Sequence, residues 1–166
     1  RMTSASSNSS LTAPSVAEPT MDEALHADVC IIGAGPGGCA AALQLAKHGV
    51  KTLLIDKAEF PRDKVCGDAL SGKVMRSLER LDPSLAVELR KQTALEPSWG
   101  ITFVAPSGKA LRVPFTLEAG VGEAPGAILP RMEFDHFMLQ AVKHDGRVSL
   151  QEGSTAKEFI RTDEGW

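Results

Sequence analysis

The residues best placed to do chemistry lie in one short stretch, Gly33-Ala34-Gly35-Pro36-Gly37-Gly38, with an acid, Asp56, 23 positions after Gly33. Each glycine of the G-x-G-x-x-G pattern has a separate physical task. Gly33 ends a strand and allows a tight turn. Gly35 has no side chain to block a pyrophosphate approaching the backbone. Gly38 lets a helix lie close on a sheet. Pro36 and Gly37 open that helix, and its N-terminus offers free N–H groups and about half a positive charge to phosphate oxygens. An acid at the end of the following strand can accept both hydroxyls of an adenosine ribose, and it disfavours a 2′-phosphate. These residues predict a dinucleotide site. A purely structural glycine turn is the alternative reading.

The flanking elements are those such a site needs. Val29-Cys30-Ile31-Ile32 is a short apolar run of the kind buried on both faces of a parallel sheet. An Ala/Leu-rich helix follows from about Pro36 to His48, with Gly49 as its natural stop. Lys51 to Ile55 is a second buried strand, so residues 28–56 form a right-handed βαβ unit. After a loop at 57–68, helices are predicted near 69–80 and 83–92, the second capped by Asp82 with Pro83 at its first position. Residues 99–104 and 109–115 read as a hairpin around Pro106-Ser107-Gly108, and 116–128 as a mobile Gly/Ala-rich loop. A helix near 132–144 carries Phe134, Phe137, Met138, Ala141 and Val142 on one face, and strands are predicted at 147–151 and 155–161.

Composition narrows the function classes. The chain has 166 residues, 18 Lys plus Arg against 21 Asp plus Glu, 43% apolar and 23% charged residues, values of a globular protein. A net charge of −3 gives no electrostatic footprint for nucleic acid or anionic lipid. No apolar stretch approaches the ~18 residues of a membrane span, which predicts a soluble protein. Cys30, Cys39 and Cys66 form no metal-spaced cluster or disulfide framework, pointing to a reducing, cytoplasmic setting, and no metal site is predicted. Cys30 and Cys39 read as packing residues, and the four histidines take no role. Residues 1–24, rich in Ser, Thr, Ala and Pro, read as a disordered tail rather than an organelle transit peptide. The segment 159–162 reads as a strand still in progress, so the chain is expected to be the N-terminal part of a longer protein, with a complete small domain as the alternative reading.

Further residues gain meaning from a resemblance. Ala42 four positions after Gly38, and Gly49 seven after Ala42, resemble the extended fingerprint of FAD enzymes of the glutathione-reductase and p-hydroxybenzoate-hydroxylase type. Pro61-Arg62-Asp63-Lys64-Val65-Cys66-Gly67 resembles the Pro-Arg-x-Lys-x-Cys-Gly segment of the geranylgeranyl reductase family, whose Cys-Gly pair lies beside the isoalloxazine ring. Arg131 with Phe134-Asp135 resembles that family's Arg-x-x-Phe-Asp helix start, whose arginine lies near the flavin and its linker. The likeness is strong over 28–72, loose over 128–160 and thin between.

The resemblance implies a Rossmann-like α/β FAD-binding domain with a parallel sheet, joined to the start of an antiparallel substrate-domain sheet. The expected division is 25–95 FAD-binding, 96–128 substrate domain, and 129–166 a return to the FAD-binding domain. It implies reduction of isolated double bonds in prenyl chains, with NAD(P)H or ferredoxin refilling the flavin and a peripheral membrane contact in the full-length protein. Lys57, Arg62 and Lys64 are then candidates to face phosphate or flavin oxygens, or else are solvated loop charges. Gly67 lets backbone N–H groups reach the flavin edge. Cys66 holds the ring or passes a proton, or is a small packing residue. Asp68 orients Cys66 or caps the helix that follows. The family's later Gly-Asp segment has no counterpart here, so the segment alone is expected to be inactive. A flavin monooxygenase or halogenase is the rival on the same fold, and a flavin-free escort of prenylated proteins is the non-enzyme alternative.

Overall fold

The computed structural model describes residues 25–65, 67–116, 122–163 and 165. In chain order the elements are β1 (Val29–Ile32), α1 (Pro36–Lys47), β2 (Thr52–Ile55), β3 (Ala69–Leu70), α2 (Gly72–Leu81) and α3 (Pro83–Arg90). They continue with β4 (Glu96–Ser98), β5 (Gly100–Val104), β6 (Ala110–Pro114), β7 (Gly126–Ile128), α4 (Arg131–Asp145) and β8 (Val148–Gln151).

The βαβ unit forms as its residue pattern requires. β1 pairs in parallel with β2, Val29 opposite Thr52 and Ile32 opposite Ile55, and β8 extends the parallel sheet from the other side of β2. α1 packs on this sheet and against α4, which also touches β8. The apolar stripe of α4 is as spaced: Phe134, Met138 and Val142 are buried, and Phe137 and Ala141 half-buried. Leu139 joins them with no exposed surface. Burial of each such side chain contributes about 1.5–3 kcal/mol, so this seam holds the two helices at the sheet.

The strands do not, however, bury both faces. The row Val29, Thr52, Val148 and the row Ile31, Leu54, Leu150 face the helices, whereas Cys30 and Ile32 on the opposite face are exposed. Helices cover one side only among the described residues, so Cys30 is a surface residue and not the packing residue expected from the apolar run. Cys39, on α1, is buried as expected.

Three further expectations need correction. Residues 69–70 do not open a helix; they form β3, and α2 starts at Gly72. The Gly/Ala-rich segment predicted as a loop contains β7, the central strand of an antiparallel sheet ordered β3-β7-β4. Its small residues are a packing requirement: a Cβ on Gly126 would lie 3.0 Å from the Leu70 carbonyl oxygen and 3.3 Å from the Phe115 ring. Residues 117–121 within that predicted loop, and the tail 1–24, lie outside the described residues. No strand forms over 155–161; the residues there are exposed, and an isolated bridge between Thr162 and Gly165 follows them.

The hairpin is as expected: β5 and β6 pair antiparallel, and Gly108, at φ +80°, donates to the Ala105 carbonyl to close the turn. Asp82 caps α3, its Oδ1 accepting from the Ser84 N–H at 2.9 Å and from the Ser84 hydroxyl at 2.6 Å.

The glycine turn carries the tightest packing constraint. A Cβ on Gly38 would stand 1.9 Å from the Gly33 carbonyl oxygen, while one on Gly37 would meet nothing within 4 Å. Gly38→Ala is therefore expected to destabilise the protein by about 1–3 kcal/mol through backbone overpacking. Gly37→Ala, in open space on a helix, is expected to be neutral or stabilising by up to about 1 kcal/mol. Urea midpoints check the pair, and equal midpoints would contradict the assignment of Gly38 to helix–strand contact.

Candidate functional site

The carboxyl ends of the parallel strands and the start of α1 enclose a cleft of about 770 Å³. It is built from the first turn outward. Gly33 takes φ +108°, a conformation L side chains rarely adopt, and its N–H donates to the Ile55 carbonyl at 2.7 Å. Gly35 is the N-cap of α1, in an extended conformation with no side-chain cap, and Pro36 fills the first helical position. The positive end of the helix dipole thus opens on the cleft, which Gly35, Pro36, Gly37 and Gly38 all line. Among the described residues away from its own helix turn, a Cβ placed on Gly35 would meet an Arg62 nitrogen at 3.8 Å.

Asp56 follows β2 directly and is almost fully buried. Its Oδ2 accepts from the Ala34 N–H at 2.7 Å and its Oδ1 from the Ala58 N–H at 2.9 Å. The carboxylate therefore clamps the glycine turn to the end of β2. A carboxylate has about four acceptor positions, so capacity for further hydroxyl donors is left at the cleft wall.

The two arginines singled out by motif come together. Arg62 lies on the loop after β2, and Arg131 opens α4, yet both reach the same carboxylate, Asp135, which has no exposed surface. Arg131 binds it through two hydrogen bonds, Nε to Oδ1 at 2.9 Å and Nη2 to Oδ2 at 3.1 Å. Arg62 Nη1 stands 3.2 Å from Oδ2 but off hydrogen-bond geometry, leaving that buried N–H without a hydrogen-bond acceptor among the described residues. The Arg62 guanidinium also lies over the Phe60 ring, 4.7 Å from its centre. Two cations sharing one anion leave a net positive charge, and that charge faces the positive end of α1. An anion between them would satisfy both, which is what a pyrophosphate supplies.

Lys57 and Lys64 line the cleft as well. Gly67 is exposed and does not line it, and Cys66 lies outside the described residues. Asp68 does not cap the helix that follows it: Ser71 occupies the N-cap position of α2. Instead the Asp68 carboxylate accepts from the Arg131 N–H at 3.1 Å and its carbonyl from the Leu129 N–H at 2.9 Å, tying the Gly67 loop to the start of α4. Burial, then the nearby Asp135 and Asp56 charges, push the Cys39 thiol up to about 12; its Sγ points to the Ala34 carbonyl, so it is an inert packing group.

Residue reasoning missed two parts of the site. Asp135 was seen only as the end of a motif, although Arg131 and Asp135 are four apart on one helix and so pair across one turn. Ser154, Thr155 and Ala156 also line the cleft. The signal for them is topological: Gln151 pairs with Ile55, so the residues after β8 must run beside Asp56.

Residues 26–166 match the family described as FAD binding domain. The chain belongs to that family. Among its curated relatives, a digeranylgeranylglycerophospholipid reductase of Methanothermobacter thermautotrophicus is 34% identical over 143 residues, 84% of this chain and 33% of that protein. A menaquinone reductase of Mycolicibacterium smegmatis is 49% identical over 56 residues, 34% of this chain and 14% of that protein. Among solved structures, a geranylgeranyl bacteriochlorophyll reductase-like protein of Thermoplasma acidophilum superposes with TM-score 0.65 at 28% identity, covering 82% of this chain and 32% of that one. A myxobacterial chondrochloren halogenase gives TM-score 0.62 at 25% identity, covering 76% of this chain and 28% of that one. The chain spans about a third or less of the length of each of these proteins. The family match and these neighbours bear out the Rossmann-like α/β fold and FAD as the cofactor class, and the antiparallel sheets accompany the parallel one as expected.

Removing the shared anion tests the arrangement of the cleft. Asp135→Asn leaves two guanidiniums without their buried counter-charge and is expected to cost about 3 kcal/mol of unfolding free energy. Glu79→Gln, at the exposed pair with Arg90, is expected to cost less than about 1 kcal/mol. Denaturant titration of both variants measures the contrast, and an Asp135→Asn variant as stable as the parent would contradict it.

Proposed function

We propose that the protein is an FAD-dependent reductase of isolated carbon–carbon double bonds in prenyl chains, with residues 25–95 and 129–166 serving the cofactor and 96–128 starting the substrate domain. The observation that carries this reading is the meeting of Arg62 and Lys64, from the loop resembling the prenyl reductases, with the glycine turn and Arg131 at one cleft. The similarity to a digeranylgeranylglycerophospholipid reductase over most of the chain supports the same choice.

The residues present fit the cofactor. Gly35 leaves the backbone open to a pyrophosphate, Asp56 has acceptor capacity for ribose hydroxyls, and the Arg62 N–H that lacks a hydrogen-bond acceptor among the described residues, with the net charge around Asp135, calls for an anion. When bound and reduced, the flavin supplies hydride. The chain's own residues do the rest. Gly35, Gly37, Gly38, Arg62 and Arg131 hold the phosphates, with Lys57 and Lys64 adding charge at the rim. Gly67 gives the ring edge an unobstructed backbone, and Asp68 fixes that loop against α4. Cys66 holds the proton that completes reduction of the alkene. NAD(P)H or ferredoxin is the proposed electron donor, and the prenyl substrate brings the protein to the membrane surface from the cytoplasm. No helix among the described residues is long and apolar enough to cross a membrane.

Oxygen chemistry is the second reading, favoured by the likeness to the halogenase. The product separates the two. With reduced FAD, a geranylgeranyl lipid and air excluded, the expected product gains two hydrogens per bond saturated, read by mass spectrometry. Cys66→Ser is expected to keep the flavin and lose turnover at least about tenfold, some 1.4 kcal/mol of barrier. A product that gains oxygen or halogen in air, and none without air, would overturn the reductase reading.

A further inference from the structure

Behind the cleft lies a second charged group that the cofactor reading does not use. Glu152 stands just after β8, at the turn that runs beside the 57–65 loop. Its Oε1 accepts from the Phe60 N–H at 2.8 Å, a contact spanning 92 positions of sequence. Its Oε2 is 2.6 Å from Lys143 Nζ on α4. Burial pushes the Glu152 carboxyl up, but the Lys143 pair, the Phe60 N–H and the nearby His136 outweigh it and hold the group below the usual carboxylate range. Two backbone bonds run alongside, from the Gly153 N–H to the Ala58 carbonyl and from the Ser154 N–H to the Asp56 carbonyl. Phe60 is the residue whose ring carries the Arg62 guanidinium. The path from Glu152 to the cleft is therefore short: one hydrogen bond fixes the Phe60 backbone, and the Phe60 ring fixes Arg62.

We propose that Glu152 is a positioning residue for the cofactor cleft, acting through Phe60 to hold the Arg62 guanidinium over the glycine turn. This rests on the reading of the cleft as an FAD site. The role needs an acceptor at Phe60 and not the pair with Lys143, which separates it from a general stabilising role at the β8–α4 edge. It is the Oε1 contact that reaches the loop carrying Arg62, whereas Lys143 lies on the far side of the carboxylate, on α4.

The test is a double-mutant cycle on FAD affinity in the full-length protein, with hydrogen exchange of the Phe60 amide as a cofactor-free readout. Glu152→Ala is expected to weaken FAD binding about tenfold and to expose the Phe60 amide. Glu152→Gln, which keeps a carbonyl acceptor, and Lys143→Met, which removes only the ion pair, are expected to bind FAD within about threefold of the parent. In the cycle, Glu152→Ala combined with Arg62→Ala is expected to bind no more than about twofold more weakly than Arg62→Ala alone, because the two act along one path. Losses that multiply, or a Lys143→Met variant as impaired as Glu152→Ala, would overturn the proposal. So would a Phe60 amide as protected in Glu152→Ala as in the parent. If the parent itself takes up no FAD while Glu152→Ala still exposes Phe60, it is the cofactor reading that has failed, and the proposed role falls with it.

Discussion

The buried carboxylate of Asp135, shared by Arg62 and Arg131, is the interaction on which the cleft depends. Removing a carboxylate from water costs several kcal/mol, and only close, well-oriented cations offset that cost. The sequence supplies them from two places far apart in the chain, the loop after β2 and the first turn of α4. Their convergence fixes the loop against the helix and puts an excess of positive charge at the mouth of α1. On the proposed reading, the fold thereby turns a stability problem into a binding surface for an anion. A cation at a helix N-terminus is unfavourable by itself, and an anion at the mouth of α1 would relieve that repulsion.

The parallel sheet determines where that charge can act. β2 is the central strand, and its end presents Asp56, whose carboxylate binds both the glycine turn and the chain that leaves the strand. Gly38 brings α1 so close to β1 that no Cβ would fit, which aims the helix axis at the same point. β8 then delivers residues 152–156 to the opposite wall. The cleft is the place where three strand ends and one helix start meet, as open α/β sheets require.

Much of this is legible in residue order because the signals are local. The glycine spacing, the apolar runs of β1 and β2, the Asp82 cap and the stripe on α4 each follow from neighbours within a few positions. What escaped reading depends on contacts that local pattern does not carry. β7 looks like a loop because Gly126 and Ala127 are small, and smallness is what its place between β3 and β4 demands. Asp68 looks like the cap of the next helix, but its partner is the Arg131 amide, 63 positions away. The apolar pattern of β1 suggested two covered faces, whereas the described helices cover one. Proteins about three times this length that the chain resembles are named as reductases and as a halogenase, so the likeness speaks for the cofactor more strongly than for the reaction.

On the proposed reading, the cleft grips the ADP half of FAD through the glycine turn, Asp56 and the charge set by Asp135. The most direct measurement is a comparison of FAD and FMN affinity for the purified full-length protein, followed by flavin absorbance and calorimetry. FMN lacks the adenosine and the pyrophosphate. Loss of hydrogen bonds to a charged carboxylate alone is worth about 1.5–3 kcal/mol, so FAD is expected to bind at least about tenfold more tightly. Equal affinity for the two flavins, or no uptake of FAD at all, would contradict a grip on the ADP half.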